Sequence, residues 1–140
     1  MGIKRIFVTK KTGYDSEAKM IFSDLKSNLL IKGLEDVILF NRYDIFDISE
    51  EEYEKAKEII FTNSPADICY ENDIPNYENS KVFAMEYLPG QFDQKADSAS
   101  ICMQFITLGK KPKVKVAKVI VLIGDITDDD FVKIKEYLIN

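Results

Sequence analysis

Asp47-Ile48-Ser49-Glu50-Glu51-Glu52-Tyr53-Glu54-Lys55-Ala56-Lys57-Glu58 returns 78 positions later as Asp125-Ile126-Thr127-Asp128-Asp129-Asp130-Phe131-Val132-Lys133-Ile134-Lys135-Glu136. Both stretches open with a hydroxyl residue followed at the third position by a carboxylate, Ser49 with Glu52 and Thr127 with Asp130. That spacing is a capping box, which satisfies free N–H groups at a helix start. The acidic triplets fall where the helix dipole favours negative charge. A carboxylate cluster also suggests a metal site or an acid–base pair, but capping accounts for the same residues. The helices then turn Tyr53, Ala56 and Ile60, and Phe131, Ile134 and Leu138, towards a core.

The correspondence extends upstream. Asp15 meets Asp93, Ala18 meets Ala96 and Leu25 meets Met103 at the same shift. The first strands match at 76, with Ile6-Phe7-Val8 on Val82-Phe83-Ala84, so the second strand-to-helix turn carries an insertion. Self-similarity at a fixed period points to an internal repeat. Each half begins with a β-branched and aromatic run, Ile3 to Thr9 or Lys81 to Tyr87. A polar turn follows, Thr12-Gly13-Tyr14-Asp15 or Pro89-Gly90-Gln91-Phe92-Asp93, with the aspartate placed as a helix N-cap. Ala18, Ile21, Phe22, Leu25 and Leu29 form one helical stripe; Ala96, Ala99, Met103 and Ile106 form its smaller counterpart. Second strands are predicted over Val37 to Phe46 and Lys115 to Gly124. The run Val119-Ile120-Val121-Leu122-Ile123 is apolar on both faces and needs cover on both. A third strand, Ala66 to Glu71, closes the first half.

These elements predict an α+β fold. One domain over 1–140 divides into repeat one, 1–71, a linker, 72–80, and repeat two, 81–140. Each repeat is β-α-β-α(-β), and the two form a pseudo-dimer, with packed sheets and the helices outside. The second repeat stops at Asn140 without a third strand, which leads us to expect a piece of a longer multidomain protein or an edge supplied by another chain.

Composition narrows the function classes. The 140 residues are 46% hydrophobic and 31% charged, with a net charge of −5. Nucleic-acid binders draw affinity from a basic surplus, so no nucleic-acid partner is expected. No apolar run approaches the length of a membrane span and no signal peptide is legible, so neither a membrane partner nor export is expected and the cytoplasm is the expected address. The chain has no histidine. Ser-His-Asp and Cys-His catalysis are therefore excluded within it. Cys69 and Cys102 lack C-x-x-C spacing and read as buried free thiols. Gly109-Lys110 has Gln104 where a phosphate loop needs its first glycine, so Gly109 reads as a helix C-cap. No catalytic, cofactor-binding or metal-ligating residue emerges.

One segment stands apart: Glu86-Tyr87-Leu88-Pro89-Gly90-Gln91-Phe92-Asp93-Gln94-Lys95-Ala96-Asp97-Ser98-Ala99. It runs strand, tight turn, helix N-terminus. Phe92 in the turn either folds back as a hydrophobic staple or belongs to a loop that docks on another domain. Pro89, Gly90, Gln91, Phe92, Asp93 and Gln94 are the interface candidates.

The stretch from Tyr87 to Ala99 resembles the signature of the N-terminal domain of large, single-chain phosphoribosylformylglycinamidine synthases. Ile31-Lys32-Gly33-Leu34-Glu35-Asp36-Val37 with Asn41-Arg42-Tyr43-Asp44, and Lys135-Glu136-Tyr137-Leu138-Ile139-Asn140, resemble the same family in the same order. The resemblance implies an ATP- and glutamine-dependent ligase of purine biosynthesis. A glutaminase domain would release ammonia, and a synthetase domain would use ATP and magnesium. It also implies that the N-terminal domain is similar to a fused dimer of the small PurS-type subunit and bridges those two partner domains of the same polypeptide. The family's catalytic residues lie in later domains, so none is carried onto this chain, and no cofactor is expected in it. A homodimer of the chain is a further expected partner. The competing readings are an enzyme in its own right and a stand-alone PurS-like or ferredoxin-like subunit or regulatory binding module.

Overall fold

The computed structural model describes residues 2–61, 64–88 and 90–139. The elements run β1 (Ile3–Lys10), α1 (Ser16–Ser27), β2 (Leu34–Phe46), α2 (Glu50–Ala56, continuing as a π turn over Lys57–Phe61), β3 (Asp67–Glu71), β4 (Ser80–Glu86), α3 (Gln94–Gln104), β5 (Val114–Gly124) and α4 (Asp128–Ile139). The five strands make one antiparallel sheet in the order β3-β1-β2-β5-β4. The expected packed sheets are thus replaced by a single sheet. β2 and β5 pair edge to edge along nearly their whole length, from Asp36↔Ile123 to Ile45↔Val114, so the two halves join through backbone hydrogen bonds rather than face to face. Within the halves, Ile6 faces Tyr43 across β1–β2, and Val82 faces Val121 across β4–β5.

Strand alternation sorts the core into two layers. On one face, α1 and α4 cover Val37, Leu39, Ile120 and Leu122. On the same face, α2 and α3 cover Ile6, Tyr43, Ile45 and Val114. Each helix pair draws one member from each half, and the Tyr137 hydroxyl on α4 donates to Asp24 Oδ2 on α1 at 2.9 Å. All four helices therefore lie on one side of the sheet, not outside two sheets. The opposite face buries Phe7, Phe40, Val119 and Val121 under Ile74 and Tyr77. Those two side chains come from the segment expected to be a linker. β3 and β4 are the two sheet edges, so residues 72–79 must cross a face between them, and the crossing segment becomes part of the core. The double-sided burial expected for β5 is realised: Val119, Ile120, Val121 and Leu122 are all buried.

The expected helix stripes are the buried ones, with Ala18, Leu25, Tyr53, Ala56, Ala96, Ala99, Met103 and Ile134 in the interior. The Ser49–Glu52 capping box forms completely. At Thr127 one half forms, its hydroxyl accepting from Asp130 N at 3.0 Å. Asp93 caps α3 by accepting from Ala96 N at 3.1 Å. Asp15 does not cap α1; its carboxylate instead accepts from Gly13 N at 3.2 Å, back within the turn. Gly109 (φ +99) does not follow α3 directly but ends a run of turns, its N–H donating to Gln104 O at 2.9 Å. At Gly33 and Gly124 the facing backbone leaves no room for a side chain. A Cβ on Gly124, which has φ +130, would lie 2.0 Å from Gly33 O.

Candidate interaction site

The loop from β4 to α3 is exposed, and its described residues hydrogen-bond to one another. Gln91 N donates to Leu88 O at 3.0 Å, and Leu88 N donates to Gln91 Oε1 at 2.7 Å. Gly90 sits at φ +88, a conformation open to glycine at little cost. Asp93 is occupied as the N-cap, and Asp97 N donates to its carbonyl at 3.0 Å. Polar residues thus brace the loop from within, and the apolar ones face out: Tyr87, Leu88 and Phe92 are 60%, 69% and 72% exposed. Phe92 is therefore not a staple. Of the six interface candidates, Gly90, Gln91 and Asp93 build the loop, Phe92 and Gln94 present surface, and Pro89 lies outside the described residues.

Beside the loop, a cavity of about 670 Å³ opens between the two helix pairs, lined among others by Asn41, Met85, Tyr87, Lys95, Ser98 and Lys118. Its floor is polar because Asn41 and Lys118, which face each other across β2 and β5, fall in the gap that the helices leave. Lys118 pairs with Glu17 at 2.6 Å. The Asn41 Oδ1 atom is buried and accepts no hydrogen bond among the described residues. Nearby, burial pushes the Tyr43 hydroxyl up to about 12, with Asp67 and Asp93 adding to the effect.

The helix-free face carries a charge chain that reaches the loop. Asp44, buried, accepts from Arg5 Nε at 2.6 Å and Arg5 Nη2 at 3.0 Å. The bidentate contact raises the Arg5 pKa. Arg42 Nε lies 3.7 Å from Asp44 Oδ2, and the Arg42 guanidinium also pairs with Glu86 at the end of β4. Arg42 reaches Glu86 by passing over β5 at Ala117, the position in register with both and itself buried. A larger residue there would block the path. Sequence reading missed this chain because its members sit on three strands; the local trace is a small residue, Ala117, set among lysines and branched apolar residues.

At the other end of the sheet, the Tyr53 hydroxyl donates to Glu71 Oε1 at 2.7 Å, and Lys57 lies 3.0 Å from the same oxygen. Both contacts lower the Glu71 pKa, the tyrosine bond most. Burial and that bond raise the Tyr53 pKa. Cys69 is half-buried and its thiol is pushed up to about 11, mainly by burial. Cys102 is exposed on α3, contrary to the expectation of a buried thiol, because Ala99 and Met103 take the inward positions of that helix.

Among the described residues, no cluster of three or more histidine, cysteine, aspartate or glutamate side chains is placed to hold a metal ion, and no helix is long and apolar enough to cross a membrane. No family model, curated protein or solved structure matches the chain.

Proposed function

We propose that this chain is a non-catalytic bridging domain, the PurS-like N-terminal part of a phosphoribosylformylglycinamidine synthase, working in the cytoplasm. The observation that carries the reading is the β4–α3 loop. It is braced by its own polar groups and holds Tyr87, Leu88 and Phe92 in solvent, as a surface made to be covered would. The same loop carries the sequence resemblance. Its partners are the synthetase and glutaminase domains of the same polypeptide, and the ATP and magnesium of the reaction belong to those domains.

The finer arrangement we propose is a fused pseudo-dimer of two β-α-β-α units. Cross-strand registers support it. From Lys4↔Ile45 to Thr9↔Phe40, each β1–β2 pair has its counterpart in β4–β5, from Ser80↔Ile123 to Met85↔Lys118. The first strand is shifted by 76 and the second by 78, the offsets at which the sequence halves align. β2 lying beside β5 is the pairing an approximate two-fold axis requires.

Complementation tests the function. The purified chain alone should show no ATP- or glutamine-dependent turnover. Added to the synthetase and glutaminase domains expressed together as one polypeptide, it should raise glutamine-dependent amidine formation. Turnover by the chain alone, or no effect on the other domains, would refute the proposal. The cavity beside Asn41 favours a second reading, a stand-alone ligand-binding module. A ligand there would bring an anion to Lys95 and a donor to Asn41 Oδ1. A thermal-shift screen against nucleotides and amino acids separates the two, since only the second reading expects a shift that Asn41→Leu removes.

A further inference from the structure

Helix α3 buries one apolar side, and apolar residues near and beyond its C-terminus stay exposed. Ala96, Ala99 and Met103 pack inward and are buried. Ile101 near the end of the helix, the C-cap Phe105 and Leu108 in the turn that follows are 44%, 83% and 93% exposed. Exposed apolar side chains gathered in a ridge at one end of an element mark a surface that another molecule covers.

Hydrogen bonds and an ion pair tie the turn after α3 to the helix and to the segment that follows. The Thr107 hydroxyl donates to Lys110 O, and the buried Ser100 hydroxyl donates to Pro112 O. Gln104 Nε2 donates to Gly109 O at 3.3 Å, and Lys111 pairs with Asp97 at 3.0 Å. Leu108 stands at φ 57, a conformation that side chains other than Asn and Asp seldom adopt. The turn thus holds a leucine in water in a disfavoured backbone state, as functional loops do.

Cations follow directly. Among the described residues Lys110 donates to the Asp47 carbonyl, at 3.2 Å, and Lys113 and Lys115 lie over the Phe46 ring, 5.2 and 6.0 Å from its centroid. None of the three has a carboxylate partner among the described residues, although the chain carries a net charge of −5. The complement of such a surface is an apolar groove with an acidic rim.

We infer that Ile101, Phe105 and Leu108 seat in an apolar groove, rimmed by carboxylates that meet Lys110 and Lys113, on the synthetase–glutaminase polypeptide. This inference rests on the bridging reading and adds a second contact, at the opposite end of α3 from the Phe92 loop.

Biolayer interferometry with that polypeptide immobilised tests it. Phe105→Ser with Leu108→Ser should weaken binding about 100-fold, as loss of two central anchors does, with an unchanged melting temperature. Lys110→Glu with Lys113→Glu should slow association and flatten its salt dependence. If the unsubstituted chain fails to bind, the bridging reading falls and takes the ridge with it. If it binds and the serine variant binds within about threefold, the ridge is wrong and bridging stands. A dimer of the chain that the serine variant dissolves assigns the ridge to a second copy and also overturns the inference.

Discussion

Asp44→Ala probes the charge chain on the helix-free face. Asp44 is 7% exposed and is the acceptor for two Arg5 nitrogens, at 2.6 and 3.0 Å. Arg42, its second neighbour, has a side chain only 15% exposed, and among the described residues its Nε has no hydrogen-bond acceptor even with Asp44 in place. Removing the carboxylate leaves two guanidinium groups on one patch of sheet with Glu86 as the remaining anion. Breaking a fully buried pair costs about 3–5 kcal/mol because the survivor is stranded. Arg5 is 43% exposed at its side chain and can rehydrate, so Arg42 carries the penalty. That lowers the expectation to about 2–3 kcal/mol. Urea denaturation should show a lower midpoint at constant slope. The loss should persist in about 1 M salt, which screens exposed pairs but not buried ones. Adding Arg42→Met to Asp44→Ala should recover most of it, since no buried cation remains. A loss below about 1 kcal/mol, or one abolished by salt, would show that the chain is an ordinary surface pair and the reasoning fails.

Other consequences follow from single residues. Ile134→Ala should cost about 3–4 kcal/mol by the same assay, and Phe131→Ala less, because Ile134 is fully buried while Phe131 is only partly so and leans on Phe83 at 5.8 Å. Gly124→Ala should lose more than about 2 kcal/mol through a disfavoured φ and the clash with Gly33 O, measured by thermal melting. Tyr53→Phe should reduce acid sensitivity. Glu71 has a folded pKa below its ordinary 4.5, so its contribution is present above that value and is lost as pH falls through the lowered one. Removing the tyrosine bond should flatten that limb of the stability–pH curve, and an unchanged limb would count against the assignment. A thiol reagent near pH 8 should label exposed Cys102 well before Cys69, whose thiolate is suppressed.

Much of the local structure was legible because it is written locally. Ser49 and Glu52 announce their helix by spacing alone, and the Val119–Ile123 run announces a strand buried on both faces. What could not be read was decided by partners far apart in sequence. Alternation tells which way Val37 or Ile120 points, not whether β2 and β5 meet at their edges or across an interface. Pairing at the edges gives one sheet, sends residues 72–79 across its open face and packs Tyr77 against the core. Asp15 and Asp93 occupy equivalent positions, yet only Asp93 caps, because the turn before Asp15 offers Gly13 N–H first. Cys102 looked buried in an apolar stretch, but Ala99 and Met103 take the inward positions of α3 and leave it outside. The interaction loop was recognisable as a segment, but the outward direction of Phe92 depends on the Leu88–Gln91 brace.

Hydrogen exchange of the chain, free and bound to the synthetase–glutaminase polypeptide, is the most direct test of a bridging role. Amides of 87–88, 90–92 and 104–110 should slow on binding, while those on the solvent side of α1 should not change. Unaltered exchange at both segments, or slowing confined to the cavity around Asn41, would contradict the account.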